Sequence, residues 1–153
     1  AKLNKQMTLE DFAATSHFLR NANIAVRAFI LLKPPYTSEE EGIELAIRSA
    51  EFAFEQGADC CVIIPTRRGN GALEHLEQLG HYAPPRLRSL ELVLETMLPR
   101  TTGRIFVDLW DAQLFATCPQ CVNERIARLQ QMNLTQQVSP RVTCDCSQGG
   151  VMR

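Results

Sequence analysis

Ile24-Ala25-Val26-Arg27-Ala28-Phe29-Ile30-Leu31-Leu32, closed by Lys33-Pro34-Pro35, is the stretch that decides the fold. Apart from Arg27 it is apolar at odd and even positions alike, the pattern of a strand covered on both faces of a parallel sheet. The prolines end it, because neither can donate to a ladder. Ser38-Glu39-Glu40-Glu41 follows as a capping box, and Ile43, Ala46, Ile47, Ala50, Ala53 and Phe54 form a helical stripe that runs to a stop at Gly57. Asp59-Cys60-Cys61-Val62-Ile63-Ile64-Pro65 then repeats the first pattern as a second buried strand. Strand, helix and strand in this order read as a βα unit.

The same alternation extends in both directions. Upstream, Thr8 with Asp11 opens a helix whose Leu9, Phe12, Ala13, Ser16 and Leu19 share a face, and Asn21-Ala22-Asn23 closes it. Downstream, the turn Thr66-Arg67-Arg68-Gly69-Asn70-Gly71 leads to a short helix from Ala72 to Leu79. Pro84-Pro85 precedes a helix with Leu87, Leu90, Leu94 and Met97 in register, and Arg104-Ile105-Phe106-Val107-Asp108-Leu109-Trp110 is a third strand. The expected fold is α/β, with parallel strands alternating with helices. A further helical stretch carries Ile126, Leu129 and Met132.

Composition sets the outer limits. With 45% hydrophobic and 22% charged residues in 153, the chain is too apolar for disorder and long enough for one core. Sixteen basic against seventeen acidic residues give a net charge of -1, which removes any global electrostatic argument for nucleic acid or membrane surfaces and leaves only local patches. No window approaches the roughly 18 apolar residues of a membrane span, and the first residues lack the apolar core of a signal peptide. The expectation is a soluble, cytoplasmic chain without a membrane partner. Its start at Ala1, in the approach to a helix, suggests a piece of a longer polypeptide.

The six cysteines fall into two populations. Cys60 and Cys61 lie in a strand, point to opposite faces and read as core packing. Cys118-Pro119-Gln120-Cys121 and Cys144-Asp145-Cys146 read as a metal site, because two short-spaced thiolate pairs can complete a tetrahedron. Zinc and an iron–sulfur cluster both accept four thiolates. Four metal-free cysteines remain an alternative, and a redox Cys-x-x-Cys would leave Cys144 and Cys146 unexplained. His17, His75 and His81 stand singly, without metal-type spacing.

Parallel α/β folds place ligands at the carboxyl ends of their strands. Here those ends carry Lys33-Pro34-Pro35 and Pro65-Thr66-Arg67-Arg68-Gly69-Asn70-Gly71. Lys33, Arg67 and Arg68 suit a carboxylate or phosphate, and equally suit a solvated basic turn. The glycines match neither the Walker pattern nor a dinucleotide fingerprint.

A resemblance adds to these observations. Leu3-Asn4-Lys5-Gln6-Met7-Thr8-Leu9-Glu10-Asp11-Phe12, the Ala25–Pro35 run with its Leu31-Leu32-Lys33-Pro34-Pro35 end, Glu39-Glu40-Glu41, the strand ending in Pro65-Thr66, and Gly71-Ala72-Leu73-Glu74 resemble, in order and spacing, the second half of a radical S-adenosylmethionine (SAM) core. The Leu3–Asp11 entry and the Leu31-Leu32-Lys33-Pro34-Pro35 run look closest to the elongator-like and archaeosine-synthesis members that modify tRNA, and His81-Tyr82-Ala83-Pro84-Pro85 and the cysteine tail strengthen the resemblance to the second. The resemblance implies the carboxyl-terminal half of a partial (β/α) TIM-like barrel over residues 1–113 and a Cys-rich metal-binding tail over 114–153, with the amino-terminal half of the barrel as the missing partner. It also implies an enzyme that cleaves SAM reductively with a 4Fe-4S cluster, acting on RNA or a small-molecule nucleobase substrate.

The same resemblance places Lys33, Pro65, Thr66, Arg67 and Gly71 toward SAM or substrate, and zinc or an auxiliary iron–sulfur cluster on Cys118, Cys121, Cys144 and Cys146. The Cys-x3-Cys-x2-Cys loop that holds the radical cluster is absent from this sequence. The fragment alone is therefore expected to be inactive. The alternative is a non-catalytic α/β zinc module that serves interactions.

Overall fold

The structure, a computed structural model, describes residues 6–69 and 71–147. Leu3, Asn4 and Lys5 of the opening run and Asn70 of the turn lie outside the described residues. Helix α1 (Leu9–Asn21) leads to β1 (Arg27–Leu32), α2 (Glu39–Glu55), β2 (Cys60–Pro65), α3 (Ala72–Gln78), α4 (Leu87–Met97), β3 (Arg104–Val107) and α5 (Val122–Thr135). Short 3-10 turns occupy Ala112–Phe115 and Asp145–Ser147. The strands form one parallel sheet in the order β1-β2-β3, with Ala28 beside Cys61 and Cys61 beside Ile105. No helix among the described residues is long and apolar enough to cross a membrane.

The capping box expected at Ser38 forms, and Thr8 with Asp11, read only as a helix start, makes a second one. Thr8 Oγ1 accepts from the Asp11 N–H and Ser38 Oγ from the Glu41 N–H, while each acidic side chain reaches back to the cap N–H. Gly42 is required where α2 crosses the exit of β1, because a Cβ there would lie 2.8 Å from Lys33 Cα. The core fills the space between one sheet face and the helices α2, α4 and α5. Leu32, Ile63 and Ile105 from the sheet meet Ala46, Ala50, Leu90, Leu94 and Leu129 there, all fully buried.

The expectation of strands covered on both sides is corrected by this arrangement. In β1 the burial alternates: Ala28, Ile30 and Leu32 face the core, whereas Arg27, Phe29 and Leu31 are exposed, Phe29 at 65%. Val62 and Ile64 of β2 and Phe106 of β3 continue this second face half-buried. It is apolar, so the sequence pattern was right about chemistry, but no element among the described residues covers it. Cys61 lies in the core, where burial and the adjacent Cys60 push its thiol up to about 12. Cys60 is half-buried on the open face.

Strand boundaries are tighter than expected. Ile24 is half-exposed before β1 begins, and β3 ends at Val107 because Asp108 turns the chain by accepting from the Trp110 N–H. Leu9 does not join the buried face of α1. It is 63% exposed, while Ser16 is buried and Phe12 and Leu19 are half-buried.

The outer edge of β3 is closed by side chains. Asn133 Nδ2 donates to the Val107 carbonyl and its Oδ1 accepts from the Val107 N–H, both at 2.9 Å. Gln136 makes the equivalent pair with Ile105, at 2.8 and 2.9 Å. Two amides from the end of α5 thus stand where a neighbouring strand would pair. Asn133→Ala is expected to lower stability by about 1–3 kcal/mol in urea denaturation. It should also speed exchange of the Val107 amide; unchanged stability and exchange would show that water serves this edge equally well.

Candidate metal centre

The tail cysteines converge because a buried cation folds the chain back. Arg128 on α5 is 6% exposed, and its Nη1 lies 2.8 Å from Glu95 and 3.6 Å from Glu91, both on α4. Its Nε and Nη2 donate to the carbonyls of Pro140 (2.7 Å) and Ser139 (2.6 Å). Arg125 adds a second pair to Glu91 at 2.5 Å, and Arg141 pairs with Glu95 at 2.6 Å. Residues 139–141 are thereby pinned across α4 and α5, and the chain that follows is returned to the start of α5.

There the four sulfurs meet. Cys118 Sγ lies 3.9 Å from Cys144 Sγ, Cys121 Sγ lies 3.6 Å from Cys146 Sγ, and all four fall within 4.8 Å of one another. A zinc ion at about 2.3 Å from each sulfur would set the tetrahedral sulfur–sulfur distance near 3.8 Å. The observed spacing fits one shared ion. Cys118 and Cys121 are buried, Cys144 is half-buried and Cys146 is exposed, so the site is formed at the surface with its first pair as the inner wall.

The local backbone prepares the inner pair. Cys118-Pro119-Gln120-Cys121 is a knuckle at the start of α5, with Cys121 as its cap residue. Backbone hydrogen bonds from Cys121 and Gln120 to the Cys118 sulfur bring its pKa down to about 7. The sulfurs of Cys144, Cys121 and Cys118 push Cys146 up to about 12, and burial raises Cys121. One thiolate is thus favoured and its neighbours resist ionising beside it. Four thiolates in this space call for a cation.

The strand-end residues are not part of this cluster, and their charges are met by neighbouring carboxylates. Lys33 is buried, with a left-handed backbone (φ 54°), and its Nζ lies 2.6 Å from Glu39, whose other oxygen accepts from the Arg86 N–H and Ser89 Oγ. Burial of Glu39 is outweighed by these partners, and its pKa is lowered. Pro65 is fully buried, and Thr66 Oγ1 donates to the carbonyls of Leu32 (3.2 Å) and Lys33 (2.7 Å). Arg67 spans to β3, with Nη1 2.9 Å from Asp108 and Nη2 donating to the Trp110 carbonyl at 2.7 Å. Arg68 pairs with Glu77. Gly71 (φ 76°) is exposed and open around its Cα. His17, His75 and His81 are exposed. Sequence reasoning missed Arg128, Glu91, Glu95, Asn133 and Gln136.

Comparison with known proteins places the chain among long relatives. It is 24% identical over 151 residues to archaeosine synthase subunit beta of Methanosarcina acetivorans, a match that takes in 94% of this chain and 43% of that protein. It is 27% identical over 155 residues to an uncharacterized protein of Methanocaldococcus jannaschii, covering 94% of this chain and 42% of the relative. The chain thus spans less than half the length of the curated relatives it matches. No family model and no solved structure matches it.

Arg128→Met keeps the apolar stem but leaves Glu91 and Glu95 without their central cation. The expected loss is on the order of 3 kcal/mol in thermal or urea unfolding, with no rescue by Arg128→Lys, which cannot span four acceptors. Burial works against the Glu95 carboxylate, but Arg141 and Arg128 more than offset it and hold its pKa below the usual 4.5. Its contribution is therefore present above about pH 4.5 and is lost as pH falls through the depressed value. The stability gap between wild type and Glu95→Gln should shrink over that acid range; a pH-independent gap would contradict the ion pairing.

Proposed function

We propose that this chain is the carboxyl-terminal half of a (β/α) barrel in a radical SAM enzyme that modifies tRNA, with one zinc ion on Cys118, Cys121, Cys144 and Cys146. The observation that carries the barrel is the bare apolar sheet face. Among the described residues, helices coat one side only, and Phe29, Leu31, Val62, Ile64 and Phe106 line the other, as the wall of a barrel lumen requires. Similarity to a protein named archaeosine synthase subunit beta supports the tRNA setting and a further subunit as partner.

In this role the strand ends face SAM or substrate. Lys33, Pro65 and Thr66 act from behind by fixing the loops after β1 and β2, since their polar atoms are already paired with Glu39, Leu32 and the Lys33 carbonyl. Arg67 locks the β2 exit to the β3 exit, and Gly71 leaves space at the start of α3 for a ligand to approach the backbone. No three of the six cysteines have the spacing that a radical cluster needs, so that cluster is held by other parts of the protein. It would supply the electron for SAM cleavage.

Zinc is favoured over an auxiliary cluster by the sulfur spacing. Four thiolates on one ion crowd together as seen here, whereas a 4Fe-4S cubane puts each thiolate on its own iron and spreads them. Elemental analysis of anaerobically purified protein should give about one zinc per chain, abolished by Cys118→Ser with Cys144→Ser. Several irons per chain would replace zinc with a cluster, and a metal-free, fully stable wild type would remove the site. The full-length protein, reconstituted and reduced, should form 5′-deoxyadenosine from SAM. None from a loaded cluster would reject the radical assignment.

A further inference from the structure

The rim at the carboxyl ends of the strands carries a large apolar side chain that the fold leaves in water. Trp110, the single tryptophan of the chain, follows β3 and is 73% exposed. A tryptophan is ordinarily well covered. Its backbone is nonetheless held at both ends. Asp108 Oδ1 accepts from its N–H at 3.0 Å, and its carbonyl accepts from Arg67 Nε at 3.1 Å and Nη2 at 2.7 Å. Arg67 Nη1 lies 2.9 Å from Asp108 and completes the clamp. The next residue, Asp111, takes a left-handed backbone (φ 51°), and Ala112 and Phe115 beyond it are buried. An ion pair and a strained residue thus fix where an exposed indole stands.

The surroundings of the ring decide what it suits. The Arg67 guanidinium carbon lies 5.9 Å from the Trp110 ring centre and 5.7 Å from that of Phe115. Indole and guanidinium are both planar, and both stack on nucleobases. The charge of Arg67 is already met by Asp108, so the flat surface on offer is better suited to a base than to a phosphate. Other rings pair inside the fold, Phe12 with Phe52 and Tyr36 with His81, whereas among the described residues no aromatic ring stacks on Trp110. Position points the same way. Strand carboxyl ends are where parallel α/β folds hold substrate, and a protein docked over this rim would cover the place the substrate needs.

We propose that Trp110 is a stacking platform for one unpaired or extruded base of the RNA substrate, its backbone held in place by Arg67 and Asp108. The proposal rests on the tRNA reading above and adds the residue and the part of the RNA it takes, the flat face of a base. A base inside a duplex has no open face, so the RNA must present a single-stranded or flipped nucleotide here.

Affinity of the full-length protein for an unmodified tRNA transcript, read by fluorescence anisotropy, tests it. Trp110→Phe keeps a π-face and should stay within about threefold of wild type, whereas Trp110→Leu should bind on the order of 10-fold more weakly. The ratio between the two variants should be the same at about 50 and about 200 mM salt, because stacking releases no counterions. Both variants should unfold at the wild-type temperature. Equal affinities of the Phe and Leu variants would overturn the proposal. So would a lowered unfolding temperature with unchanged affinity, which would mean that the rest of the polypeptide covers the indole. Loss of a copurifying subunit with unchanged affinity would overturn it in favour of a protein contact. A wild type that binds no tRNA rejects the tRNA reading and the proposal with it; tRNA binding indifferent to Trp110 rejects the proposal alone.

Discussion

Arg128 carries its charge almost wholly out of water, and α4, α5 and the chain at Ser139 and Pro140 meet around it. A buried guanidinium is tolerated only when opposite charge and acceptors surround it. Glu91 and Glu95 supply the charge from α4, and the Ser139 and Pro140 carbonyls supply acceptors from a segment with no regular structure. One side chain therefore ties an irregular segment to two helices that are themselves packed in the core. Without the returned segment, Cys144 and Cys146 would have no reason to lie against α5. The thiolate cluster is a consequence of an ion network two turns away.

That network explains what was and was not legible in the sequence. The helices, the parallel order, the helix start at Thr8 and the capping box at Ser38 could be read because they follow from local spacing. The four cysteines could be paired as a cluster from their short intervals alone. Arg128 could not, since an arginine in an amphipathic helix ordinarily reads as solvent-facing; only Glu91 and Glu95, four residues apart among the buried leucines of α4, hint at a cation to meet them. Asn133 and Gln136 were hidden for a similar reason. Their role depends on the end of α5 lying along β3, which no local pattern encodes.

The open sheet face marks the other limit of sequence reading. Apolar residues at odd and even positions of β1 and β2 read as burial on both sides, yet among the described residues no element covers the second face. Hydrophobic pattern reports what a strand is made to contact, and structure reports what contacts it. The strand-end residues show the same distinction. Lys33 and Arg67 looked like anion clamps by type, whereas in three dimensions their charges are met by Glu39 and Asp108.

The amide-finished edge of β3 also limits how copies of this chain can associate. A fibre built edge to edge needs two open edges on every unit, one to receive and one to offer. Asn133 and Gln136 occupy one of the two in every copy, so growth through the sheet ends after a single pairing event. Two side chains at the end of one helix thus deny copies of this sheet the β3 edge as a pairing surface.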